Sequence, residues 1–147
     1  MPAFVTAGAG FLLAVLWFDL MFDVQVRGRE RPSPEALASI SAYYRRVTLQ
    51  AYPMNRLVAL VMAGTIVAIV VELAGDDVAD WIAIVSLVLV LAACALALSF
   101  TFGNGARLGG GKQPVERQER LARLMLRDHL LCLAAIVTVI VIQLTAA

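Results

Sequence analysis

Four long apolar runs alternate with polar segments along the chain, at residues 3–22, 57–74, 81–102 and 130–146. Each is close to the roughly 20 residues that a helix needs to cross a bilayer core. Hydrocarbon offers the backbone no hydrogen-bond partners, so runs of this length predict helices. The expected fold class is all-α: a polytopic membrane protein, a four-transmembrane-helix bundle forming a single integral membrane domain over 1–147.

The polar segments have patterns of their own. Ser33-Pro34 is a helix start, with Ser33 as N-cap and Pro34 at the first helical position. Leu37, Ile40, Tyr44, Val47 and Ala51 then recur at three- and four-residue steps, while Ser39, Ser41, Arg45, Arg46 and Gln50 fall elsewhere. This predicts an amphipathic cytoplasmic helix between spans 1 and 2, lying on the inner membrane surface or under the bundle and ended by Pro53. Five glycines in Gly103–Pro114 predict a mobile loop. A phosphate-cradling role fails there for want of the GxxxxGK[ST] pattern. From Pro114 the sequence VERQERLARLMLRDHLL reads as helix running unbroken into run four. The two halves share this plan, as a weak parallel repeat would.

Composition agrees with the pattern: 61% of residues are hydrophobic and the mean hydropathy is +0.84. A soluble domain is nearer half apolar. Net charge is only +1, but the charges are sorted. Arg27, Arg29, Arg31, Arg45, Arg46 and Arg56 lie between runs one and two. Arg107, Lys112, Arg117, Arg120, Arg123 and Arg127 lie between runs three and four. The segment between runs two and three has Glu72, Asp76, Asp77 and Asp80 and no base. The positive-inside rule then places both basic segments in the cytoplasm of a bacterial inner membrane and both termini outside, with Trp81 at the outer boundary. Topology accounts for the bases, so no nucleic-acid partner is expected. The first run has no basic flank and reads as an uncleaved span, not a signal peptide. Cys94 and Cys132 fall at different depths and are expected to stay unpaired.

Candidate chemistry starts in run one. Asp19 and Asp23 stand at i,i+4 and share one helix face. Asp19 is inside the apolar stretch, where a carboxylate costs a few kcal/mol unless paired, neutralised or wetted. Asp23 is expected at headgroup level. With the topology above, the same inner level carries Tyr43, Tyr44, Tyr52, Asn55, Arg56, Asn104, Arg127, Asp128 and His129. His129, the sole histidine, could exchange a proton with Asp19 near neutral pH. Asp19 and His129 are therefore the candidate catalytic pair. Asp23, Tyr44, Asn55, Arg56, Asn104 and Asp128 are candidate binding residues. Trp17, Phe18, Met21 and Phe22 would wall the cleft or face lipid. The bland readings are an inert interfacial histidine and an Asp19 ion pair with Arg56 or Arg127 that fixes helix register. Three ligands are a thin set for a metal, and no cofactor fingerprint is present, so neither is assigned.

The layout resembles that of the anthrone-oxygenase-like family of small four-helix membrane proteins. The residues carrying the resemblance are Gly10, the Phe18-Asp19-Leu20-Met21 turn, Asn104 after the third span, and Asp128-His129 at the mouth of the fourth. Asp128 stands where that family has Asn, and Leu131 where it has Arg. The resemblance implies cofactor-free oxidation of an activated C–H by acid/base chemistry. The leading expectation is a protein that binds or processes a small apolar molecule at an intramembrane Asp/His cleft. The alternatives are a non-catalytic accessory or assembly subunit of a membrane complex and a proton- or cation-coupled carrier, usually a homo-oligomer.

Overall fold

In the computed structural model the described residues are 2–28, 31–50, 52–75 and 78–145. Arg29, Ala51, Asp76, Asp77 and the side chain of Tyr52 lie outside that description. The helices are α1 (Pro2–Asp23), α2 (Pro34–Tyr44), α3 (Tyr52–Ala74), α4 (Asp80–Leu96), α5 (Phe102–Gly109) and α6 (Val115–Leu144). Four helical stretches are long and apolar enough to cross a membrane. Their outward faces are apolar all round: Leu60 on α3, Trp17 on α1 and Val88 on α4 are each at least 60% exposed. A water-soluble protein does not present such a girdle, and lipid is the solvent that suits it. The chain is a multi-pass helical membrane protein.

Around the bundle the order is α1, α3, α4, α6, so α1 faces α4 and α3 faces α6 across the axis. Val5, Ala9, Leu12, Ile69, Ala83, Val90, Ile136 and Val139 fill the centre. Lipid tails are as apolar as these side chains, so close fit holds such helices together more than hydrophobic burial does. Gly8 shows the fit: a Cβ there would collide with the Thr65 hydroxyl of α3.

The amphipathic helix begins where the sequence places it. Ser33 Oγ accepts from the Ala36 N–H at 3.2 Å, with Pro34 at the first position. Its end differs from expectation. After Tyr44 the helix widens into a π turn over Arg45–Gln50, and Pro53 then opens α3 instead of closing α2. Proline lacks an N–H and suits a first helical turn as well as it stops a last one.

The glycine-rich stretch also differs. Run three passes through a π turn, Ala97–Thr101, and continues as α5, so Phe102–Gly109 is helical and not a loop. Here glycine serves close approach. A Cβ on Gly109 would sit 2.6 Å from the backbone nitrogen of Arg45, and one on Gly105 would sit 3.2 Å from the Tyr44 ring. Arg45 Nε donates to the Gly109 carbonyl at 3.1 Å, and Ser41 Oγ donates to the Leu108 carbonyl at 2.8 Å. Both bonds fall on carbonyls of the last turn of α5, where a helix runs out of its own donors; the Leu108 carbonyl also accepts from the Gly111 N–H at 3.2 Å. As expected, α6 is one continuous helix from Val115 through run four, and Cys94 and Cys132 are unpaired.

Candidate functional site

The end of α1 is covered by α2. After Asp23 one 3₁₀ turn, Val24–Val26, redirects the chain, and α2 folds back beneath the bundle. This brings two consecutive tyrosines to two aspartates one helical turn apart. Tyr43 Oη donates to Asp19 Oδ1 at 2.7 Å, and Tyr44 Oη donates to Asp23 Oδ1 at 2.7 Å. The Tyr43 ring stacks on Phe22 with centroids 4.0 Å apart, which fixes the hydroxyl. Tyr43 meets Tyr44 edge to face at 5.3 Å.

His129 enters from α6. Its Nδ1 is 2.6 Å from Asp23 Oδ2, and Tyr44 Oη is 3.4 Å from the same nitrogen. A carboxylate only accepts, so Nδ1 carries a hydrogen, and Nε2 is the ring nitrogen turned towards Asp19. Nε2 stands 3.7 Å from Asp19 Oδ2, beyond hydrogen-bond length. Asp23 thus orients the ring, and Nε2 and Asp19 face each other across a gap. Burial, reinforced by the neighbouring Asp19 and Asp23 carboxylates, raises both tyrosine phenols well above their ordinary value. They stay protonated and remain donors.

Asp19, Tyr43, Tyr44 and His129 form one wall of a cavity of about 340 Å³, a size that suits a small molecule. The remaining walls are mostly apolar, among them Leu16, Val58, Met62, Ala97 and Ile136. Both π turns contribute, through Val47 and Thr48 on one side and Ala97 and Thr101 on the other. A π turn inserts an extra residue into the helical repeat and turns side chains towards a site they would otherwise miss. Phe18, Met54 and Phe102 line the cavity and are also about half exposed on the bundle surface. The cavity therefore reaches the lipid-facing side.

The structure brings together Asp19, Asp23, Tyr44, Asn55 and His129 from the expected set. Asp23 is fully buried, because the turn after it lays α2 over the helix end. Four expected binding residues do not line the cavity: Asp23 meets it only through Tyr44 and His129, and three others stand apart. Asn104 sits half-buried on α5, and Arg56 is exposed at the start of α3. Asp128 is buried on another face of α6, since successive helical residues point about 100° apart. Its Oδ1 accepts from Arg127 Nη2 at 2.8 Å, and Arg127 is thereby engaged away from Asp19. Met21 and Trp17 face outward. Tyr43, expected at this level with Tyr44, lines the cavity, and so does Cys132; Thr48, Thr101 and Met125 are cavity residues that the sequence did not point to. None of those three carried a signal, since a Thr or Met in an apolar helix looks the same whether it faces a cavity or a neighbour. Among the described residues no group of three or more His, Cys, Asp or Glu is arranged to hold a metal.

The fold and site together define a four-helix membrane bundle with a buried Asp-His-Tyr cluster beside an apolar cavity. Nothing matches the chain among family models, curated proteins or solved structures.

Proposed function

We propose that the protein binds or processes a small apolar molecule in this cavity, with His129 and Asp19 exchanging a proton with it. The supporting observation is Nε2 of His129, held at 3.7 Å from Asp19 across a space walled otherwise by hydrocarbon. A guest with an apolar body and one acidic O–H or C–H fits this arrangement. Its acidic hydrogen would pass to Nε2. The resulting imidazolium is stabilised by Asp23 on Nδ1 and by Asp19 nearby, in surroundings that strengthen charge interactions. Tyr43 and Tyr44 hold the two carboxylates in place. Entry from lipid past Phe18 and Met54 suits a guest that dissolves in the membrane. The proton removal leaves the guest as its anion; the C–H oxidation that the family resemblance implies would then need dioxygen as the electron acceptor. The cluster is read as lying on the cytoplasmic side of a bacterial inner membrane, a reading supported by the flanking arginines.

The test is extraction and mass spectrometry of small molecules that co-purify with the protein, compared across Asp19→Asn, His129→Ala and the cavity-filling Ala97→Phe. All three variants should fold, and all three should lose a guest that the wild type retains. Collapse of Asp19→Asn together with an unaffected His129→Ala would make the cluster structural. Co-purification of a larger complex, with no guest, would favour an accessory subunit.

A further inference from the structure

A second polar cluster lies at the opposite end of the bundle. Glu72, near the end of α3, is 1% exposed. Gln143 of α6 and Ser86 of α4 are fully buried beside it. Gln143 Nε2 donates to Glu72 Oε2 at 2.9 Å and to Ser86 Oγ at 3.1 Å, so both amide hydrogens are used. Two oxygens remain. Glu72 Oε1 and Gln143 Oε1 are buried with no hydrogen-bond partner among the described residues.

An ionised Glu72 would leave both oxygens orphaned and a negative charge in an apolar bundle. No base stands within reach by sequence, because all twelve Lys and Arg lie within 27–56 and 107–127. A single proton on Glu72 Oε1 answers both defects. A carboxylic acid and a primary amide form a closed ring of two hydrogen bonds. The amide N–H bonds one acid oxygen, and the acid O–H bonds the amide oxygen. The first of these bonds is already in place.

We propose that Glu72 is a proton-binding site, its proton held on Oε1 and donated to Gln143 Oε1, tying α3 to α6 across the bundle axis. The groups that could compete are few. From α1 the first ionisable side chain is Asp19, at the far end. From α4 only Asp80 is near, and it is exposed. On α6 the nearest titratable groups are the Cys132 thiol, eleven residues or about 16 Å of helix rise away, and His129, fourteen residues or about 21 Å away. Asp76, Asp77 and the amino group of Met1 lie outside the described residues. Since α3 and α6 stand at opposite corners, this ring is a direct polar link between them. Loss of the proton leaves a buried carboxylate against the amide oxygen and opens the link.

Two measurements on the full-length protein in nanodiscs decide it. The infrared difference spectrum between wild type and Glu72→Gln should show, at neutral pH, a protonated-carboxyl stretching band lost in the variant, and the band should survive in His129→Ala. Thermal unfolding should rank Glu72→Gln close to wild type, because its N–H can replace the acid O–H. Glu72→Ala and Gln143→Leu should each lose several degrees. An absent band, or a Glu72→Gln loss as large as that of Glu72→Ala, overturns the proposal. So does a sodium- or potassium-dependent rise in wild-type stability that Glu72→Gln lacks, which would make the site a cation site.

Discussion

At Asp23 two buried donors converge on one carboxylate, Tyr44 Oη on one oxygen and His129 Nδ1 on the other. Removing the acceptor strands both. An unsatisfied buried donor costs about 1–3 kcal/mol, so Asp23→Ala should destabilise by about 2–5 kcal/mol. Asp23→Asn keeps an acceptor oxygen for one donor and should cost less, yet it no longer fixes the His129 ring. Denaturant or thermal unfolding of the two variants checks this, and guest retention should fall in both. The phenols give a pH dependence. Tyr43 and Tyr44 are raised by burial and by the aspartates, so above the ordinary phenol value of about 10 the unfolded chain releases protons that the folded protein keeps. Their contribution to stability is complete below that pH and is lost progressively as pH rises beyond it. Tyrosinate absorbance in an alkaline titration should show two phenols ionising only on unfolding. Of this site, Asp19 and His129 were legible because a charged or titratable residue in an apolar run stands out. The burial of Asp23 was not, because it depends on a three-residue turn that lays another helix over it.

The π turns and the glycine helix decide the geometry at the next scale. Gly109 touches the Arg45 backbone, which cannot yield as a side-chain tip can. Gly109→Ala should therefore cost about 1–3 kcal/mol by overpacking. Gly103 on the same helix has open space, and Gly103→Ala should be neutral or stabilise by up to about 1 kcal/mol from helix propensity. Thermal unfolding of the pair separates close approach from flexibility as the reason for glycine. A string reading GNGARLGGG carries both meanings equally, and only the surface that α5 meets selects one. Pro53 is the same kind of case: proline marks a helix boundary without stating on which side the helix lies.

For the molecule as a whole, the sorting of basic residues makes an orientation testable. A cysteine replacing Lys112, with Cys94 and Cys132 changed to Ala, should react with a membrane-impermeant maleimide only after the cells are opened. A cysteine at Thr145 should react in intact spheroplasts. The reverse pattern would invert the bundle in the membrane and move the cavity to the outer leaflet. The apolar runs alone determined that four helices are long enough to span a bilayer, because helix length against hydrocarbon thickness is a one-dimensional property of the chain. The tertiary structure decided which helices stand side by side, that Asp23 orients His129, and that Glu72 meets Gln143 across 71 positions of sequence. Those pairings depend on crossing geometry and on where π turns rotate side chains, and neither is written in the spacing of residues along one strand of chain.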